Sequence, residues 1–174
     1  TARHYVKDCW IEGAVDYFYG GGNVLAENCT FYNTRSGAII VAPCHKEAKW
    51  GYVFRDCTID GNEAAANVKK WGVKLGRPWH NSPKTVYIHT TMNIPISPEG
   101  WANMGAIPTL FAEYNSRDAA GNVLQLDQRK TEYEGRGENA PKGTSRAVIT
   151  AEEAATYTYE NIIPGTDQWN PRMM

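Results

Sequence analysis

One short pattern recurs through the first half of the chain. Residues 4–13 read HYVKDCWIEG, residues 24–33 read VLAENCTFYN and residues 51–61 read GYVFRDCTIDG. Each is an apolar alternation, then Asp or Asn, then Cys, then a second short alternation. Residues 85–94, TVYIHTTMNI, form a more divergent fourth copy with Thr91 in the Cys slot. A unit that recurs this way describes a solenoid, because one coil cannot bury its apolar side alone and must stack on the next. The runs are short, β-branched and aromatic, and Gly, Asn and Asp bound them, so the coils are built from strands. The expectation is an all-β chain folded as a parallel β-helix.

Stacking would place Cys9, Cys29 and Cys57 above one another inside the coil as a ladder of small hydrophobes. The preceding Asp8, Asn28 and Asp56 would bond the backbone at a recurring bend. From about Gly100 the repeat fades, and residues 104–115 with the Gly121 turn and residues 123–126 suggest a strand pair or irregular cap. Thr150 and Glu153 make a capping box, so one short helix is expected from Ala151, covering the end of the solenoid. Residues 132–146, rich in Gly, read as a surface loop. One domain of 1–174 results, with stacked coils over 1–100 and capping loops and helix over 101–174.

Composition removes several function classes. The 174 residues are 42% hydrophobic and 21% charged, and the longest apolar stretch, 37–42, is far too short to span a bilayer. Eighteen Lys and Arg face 19 Asp and Glu, so no global field recruits nucleic acid or an anionic membrane. Four Cys without a CxxC pair, and four scattered His, give no metal-ligand set. No metal and no cofactor are expected.

Chemistry concentrates in two places. Between Glu63 and Glu99 the chain carries Lys69, Lys70, Lys74, Arg77 and Lys84, with Trp71 and Trp79 among them and no acid. Rings beside cations suit a polyuronic sugar, and they equally suit a solvated face with two packing tryptophans. In residues 13–22, GAVDYFYGGG, a single Asp16 stands among Val15, Tyr17, Phe18 and Tyr19. Apolar lining would raise its pKa unless a cation favours the charged form, and Arg77 is the natural candidate.

The run Gly-Ala-Val-Asp16-Tyr-Phe-Tyr-Gly, with DCWIEG before it, resembles a signature of pectin methylesterases, and Leu-Gly-Arg77-Pro-Trp79 resembles that family's second hallmark. Residues 109–115, TLFAEYN, and the stretch 151–169 are similar to later family blocks, so the resemblance spans nearly the whole chain. It implies a right-handed parallel β-helix and, without a metal, removal of methyl groups from galacturonate esters of pectin. By resemblance Asp16 is the nucleophile, Arg77 orients it, Trp79 stacks a sugar, and Val15 and Tyr19 line the cleft.

The same resemblance places a second catalytic Asp and the oxyanion glutamines on earlier coils, before Thr1. Losing such groups costs powers of ten in rate, so these residues alone are expected to be weak or inactive. The solenoid would begin in mid-stack with an open end that invites self-association. The implied partner is methyl-esterified pectin, with no nucleic acid and no membrane. The residues given carry no leader, so a secreted or periplasmic location follows from the substrate alone. Two other readings stand beside this one. The first is a non-catalytic polygalacturonate-binding module. The second is a calcium-dependent pectate lyase, whose acidic ligands would have to be Asp56, Asp60 and Glu63.

Overall fold

A computed structural model describes residues 2–174. Its first coil holds β1 (Arg3–Lys7), β2 (Trp10–Gly13) and β3 (Val15–Gly20), and the second holds β4 (Asn23–Glu27), β5 (Thr30–Asn33) and β6 (Ile39–Pro43). The third coil holds β7 (Tyr52–Arg55), β8 (Thr58–Gly61), a one-turn helix α1 (Glu63–Ala66) and β9 (Lys74–Gly76). Then come β10 (Lys84–Ile88) with β11 (Thr91–Met92), and β12 (Leu110–Tyr114) with β13 (Arg117–Asp118). Like strands stack in register and in parallel, giving sheets ordered β1-β4-β7-β10-β12, β2-β5-β8-β11-β13 and β3-β6-β9. This is a parallel β-helix.

Register explains the alternation. Val6, Ala26, Phe54 and Tyr87 form one column of the first sheet, and Ile11, Phe31, Ile59 and Met92 form the facing column of the second. Side chains on a strand alternate between faces, so both columns point inward and meet. Phe31, Phe54 and Tyr87 touch in sequence at 4.9 Å between ring centroids. The alternate column, Tyr5, Leu25, Val53, Val86 and Ala112, faces outward and is also covered, Tyr5 partly and the rest fully, beneath Ile149 and the C-terminal helices. A sheet covered on both faces reads as continuous apolar runs, as β4, β7 and β10 do.

The corner between the first two sheets carries one residue per coil: Asp8, Asn28, Asp56, His89 and Asn115, with φ between 50° and 55°. Short polar side chains tolerate this left-handed conformation best. The side chains bond one another along the stack, not the backbone as expected. The Asn28 amide donates to Asp8 at 2.7 Å, and Asn115 Nδ2 lies 2.7 Å from His89 Nδ1.

Several expectations change here. The register pairs Thr91 with Thr58, so the Cys slot of the fourth coil belongs to the buried Thr90. Cys29 and Cys57 are buried, while Cys9, on the outermost described coil, is exposed. Stacking does not stop near residue 100: β12 and its corner Asn115 make a fifth copy in register with β10. Residues 132–146 are not a bare loop, since β14 (Glu132–Glu134) and β15 (Lys142–Thr144) pair as an antiparallel hairpin.

The C-terminal helix is also only part of what forms. The capping box of Thr150 and Glu153 starts α2 (Ala151–Ala154), and α3 (Tyr159–Ile162) and a 3-10 turn (Pro171–Met173) follow. Together they roof the flank of the first sheet, not the end of the solenoid. Arg55 reaches up from β7 to donate to the carbonyls of Ala154 and Tyr157 at 3.0 and 2.8 Å, closing the C-terminal end of α2.

At the far end of the inward column Tyr87 is followed by Glu113, which is fully buried. Arg129 forks onto it at 2.7 and 3.3 Å, the Ser116 hydroxyl donates to it at 2.8 Å, and Arg129 also donates to the Pro98 carbonyl. An ion pair with every oxygen engaged can plug an apolar tube without an orphaned charge.

Candidate active site

The third sheet shows what lifts Asp16 out of the stack. Val15 pairs with Ile39 and Phe18 with Val41, so β3 has one residue more than its partner and bulges. Asp16 sits in that bulge at φ 52°. The bulge turns Tyr17 and Phe18 inward together. The Tyr17 hydroxyl donates to Asn33 Oδ1 at 3.0 Å, and Phe18 packs edge-on against Tyr52 and Phe54. Gly13 makes room, because a Cβ there would lie 2.3 Å from Tyr17 Cγ. The expected ring lining around Asp16 therefore loses Tyr17 and Phe18 to the interior, where burial pushes the Tyr17 phenol pKa up.

Arg77 follows β9, two rungs away, and its backbone N–H donates to the Val41 carbonyl at 3.0 Å. Two strand spacings are about 9.6 Å, a span that the long arginine side chain bridges. Its Nε donates to Asp16 Oδ1 at 3.0 Å and its Nη2 to Oδ2 at 2.6 Å, a two-pronged contact between groups sixty-one positions apart. The two side chains are 26% and 22% exposed, so the pair is held yet open to solvent.

Val15 and Tyr19 are exposed on either side of Asp16, and Trp79 is half-buried and meets Tyr19 edge-on at 6.1 Å. All five anticipated residues thus occupy one flank. Behind them, hydrogen bonds that the sequence did not suggest pin the Gly20–Gly22 turn. Tyr52 donates to the Gly20 carbonyl at 2.7 Å, and His45 Nε2 lies 2.7 Å from the Gly22 carbonyl. The Lys84 N–H donates to His45 Nδ1, which assigns the proton to Nε2, and burial lowers the His45 pKa. The GGG run was the sequence signal for this turn, and Gly20 and Gly22 adopt positive φ in it.

The basic stretch does not form one surface. Lys74 bonds Ser97 and Glu99, Arg77 bonds Asp16, and Lys84 donates to the Lys49 carbonyl beneath Tyr157. Asp56, Asp60 and Glu63 are separated as well: Asp56 stands on the corner, Asp60 accepts from the Gly61 N–H, and Glu63 opens α1. Among the described residues no three His, Cys, Asp or Glu side chains gather closely enough to hold a metal ion.

Comparison with known proteins adds the following. The Pectinesterase family model matches residues 1–166. A probable pectinesterase A of Neosartorya fischeri is 32% identical over 138 residues, covering 77% of this chain and 40% of that protein. Pectinesterase 31 of Arabidopsis thaliana is 36% identical over 105 residues, 59% of this chain and 31% of that protein. Among solved structures, pectin methylesterase from carrot superposes with a TM-score of 0.73 at 21% identity, over 92% of this chain and 50% of that one. The deglycosylated pectin methylesterase from Aspergillus niger gives 0.62 at 28% identity, over 74% and 42%. The chain spans well under half the length of the curated relatives named here.

Proposed function

The chain belongs to the pectinesterase family, and from that premise we propose that it hydrolyses methyl esters of galacturonate in pectin with Asp16 as nucleophile. The observation that carries this reading is the fork of Arg77 on Asp16 within a backbone bulge. A guanidinium stays charged at any working pH, and its two-pronged contact fixes the direction of the carboxylate lone pairs.

In this reading a carboxylate oxygen of Asp16 attacks the ester carbonyl carbon, and the tetrahedral intermediate collapses with expulsion of methoxide, which leaves as methanol on taking a proton. The resulting acyl-enzyme is cleaved by water, which returns the Asp16 carboxylate and leaves a free galacturonate. Tyr19 and Trp79 offer ring faces to the sugars, and Val15 borders the ester. The chain spans well under half the length of the curated relatives named above, and this stretch alone is expected to be weak or inactive. Pectin as substrate implies a secreted or periplasmic location.

The test is methanol release from methyl-esterified pectin by the longest natural chain that carries these residues, with and without Asp16→Asn. Release that depends on Asp16 is expected. Release that survives the substitution would remove Asp16 from the role, and saturable pectin binding without methanol from any chain would favour a binding module.

A further inference from the structure

Lys69, Lys70 and Trp71, the part of the basic stretch that the Asp16 site does not use, stand on a built turn. The Asn67 carbonyl accepts from the N–H groups of Lys70, Trp71 and Gly72 at 3.2 to 3.4 Å, and Gly72, at φ 66°, packs against Ser97, where a Cβ would lie 3.1 Å from the Ser97 nitrogen. Trp71 backs onto the turn between β5 and β6, where a Cβ on Gly37 would lie 3.3 Å from Trp71 Cβ. That turn carries Arg35. Trp71 is 70% exposed, Arg35, Lys69 and Lys70 are exposed too, and among the described residues none of these three cations joins an ion pair.

An exposed indole offers a flat stacking face, and three cations without counter-charges define the sign of the ligand it suits. The patch precedes β6 and β9 on the rungs where Ile39 pairs with Val15 and Lys74 pairs with Ile39. Trp79 follows β9 at its other end, its N–H donating to the Pro43 carbonyl. The Asp16–Arg77 pair therefore stands between two aromatic anchors, and Trp71 lies among unpaired cations.

We propose that Trp71, Lys69, Lys70 and Arg35 form a second polymer-binding site that holds de-esterified, anionic galacturonate units. The proposal rests on the ester-cleaving reading for its ligand class. The ring stacks on a pyranose face while the cations meet carboxylates, including those that hydrolysis at Asp16 creates. Segments that already carry free carboxylates are then retained beside the reacting pair.

Binding, not turnover, tests this. Affinity for polygalacturonate and for highly methylated pectin is measured at low and high salt for the unaltered chain, for Trp71→Ala, for the Lys69→Glu/Lys70→Glu pair and for Trp79→Ala. All four substituted positions lie wholly or partly at the surface. The charge-reversed pair is expected to lose about tenfold or more in polygalacturonate affinity at low salt and little for methylated pectin, and high salt should erase the difference. Trp71→Ala should weaken both polymers. Unchanged polygalacturonate affinity in the patch variants, or equally tight binding of polyglutamate, would overturn the proposal. Loss on Trp79→Ala alone would reject the patch and leave the Asp16 site standing. Loss in the patch variants alone would support the patch and count against the cleft.

Discussion

Two arginine–carboxylate forks occupy opposite situations in this molecule. Arg129 and Glu113 meet inside the tube, 6% and 0% exposed, with Ser116 and the Pro98 carbonyl completing the shell. Arg77 and Asp16 meet on the flank, each about a quarter exposed, on a backbone bulge. Contact chemistry is nearly identical, so chemistry alone does not separate a structural pair from a reactive one. Access and backbone conformation do. The buried carboxylate has every oxygen engaged and ordinary strand geometry, whereas the flank carboxylate is lifted out of the stack and keeps a side open to a substrate.

The contrast is most severely tried at Asp16. Asp16→Asn should lower methanol release by about 10³-fold or more in a chain competent for the reaction, with the thermal midpoint within roughly 4 °C. A comparable loss of stability would make this pair structural after all. Inside the tube the expectation inverts. Arg129→Met strands a buried carboxylate and should cost about 3–5 kcal/mol in urea unfolding, and adding Glu113→Leu should recover much of it. Arg77→Met, by contrast, should cost no more than about 1 kcal/mol, and equal penalties at the two sites would erase the distinction.

Smaller effects calibrate the frame around both pairs. Thr150→Ala removes the box that starts α2 and should lower unfolding stability by about 1 kcal/mol. His45 gives the finest reading. Its folded pKa lies below its unfolded value because burial disfavours the imidazolium. Its contribution is thus complete above about pH 6.5 and is lost as pH falls through that value toward the folded pKa. Unfolding curves taken from neutral to mildly acid pH should show this decline, and His45→Gln should flatten it. An identical slope in the variant would assign the decline to a group other than His45.

What could be read in the sequence followed from periodicity and local motifs. The coils of residues 4–13, 24–33 and 51–61 announce themselves because one corner residue and one inward Cys repeat in phase. The fourth copy misled by one position because two threonines stand together, and only pairing in space shows that Thr90 continues the Cys column. The fifth was hidden because its inward column carries Glu113, a residue that alternation counts as polar until Arg129 is seen beside it. Asp16, Arg77 and Trp79 were legible as motif residues. The bulge was not, since it depends on Tyr17 finding Asn33 one coil later, a contact without local signature. The basic stretch misled in a similar way, because linear neighbours such as Lys69 and Lys84 end on different sides of a coil.

The roof over the first sheet carries a consequence for how such a chain is made. Tyr5 on β1 donates to Glu27 on β4 and accepts from Arg172, whose Nη2 donates to both Glu27 carboxylate oxygens at 2.8 and 2.9 Å and whose guanidinium stacks over Tyr159. During synthesis β1 thus waits, with its outer apolar row bare, for residues 159–172 to emerge. Assembly dominated by such distant partners is slow and vulnerable to misassociation. Chaperone demand in a translating cell should accordingly persist at least until Arg172 has been delivered.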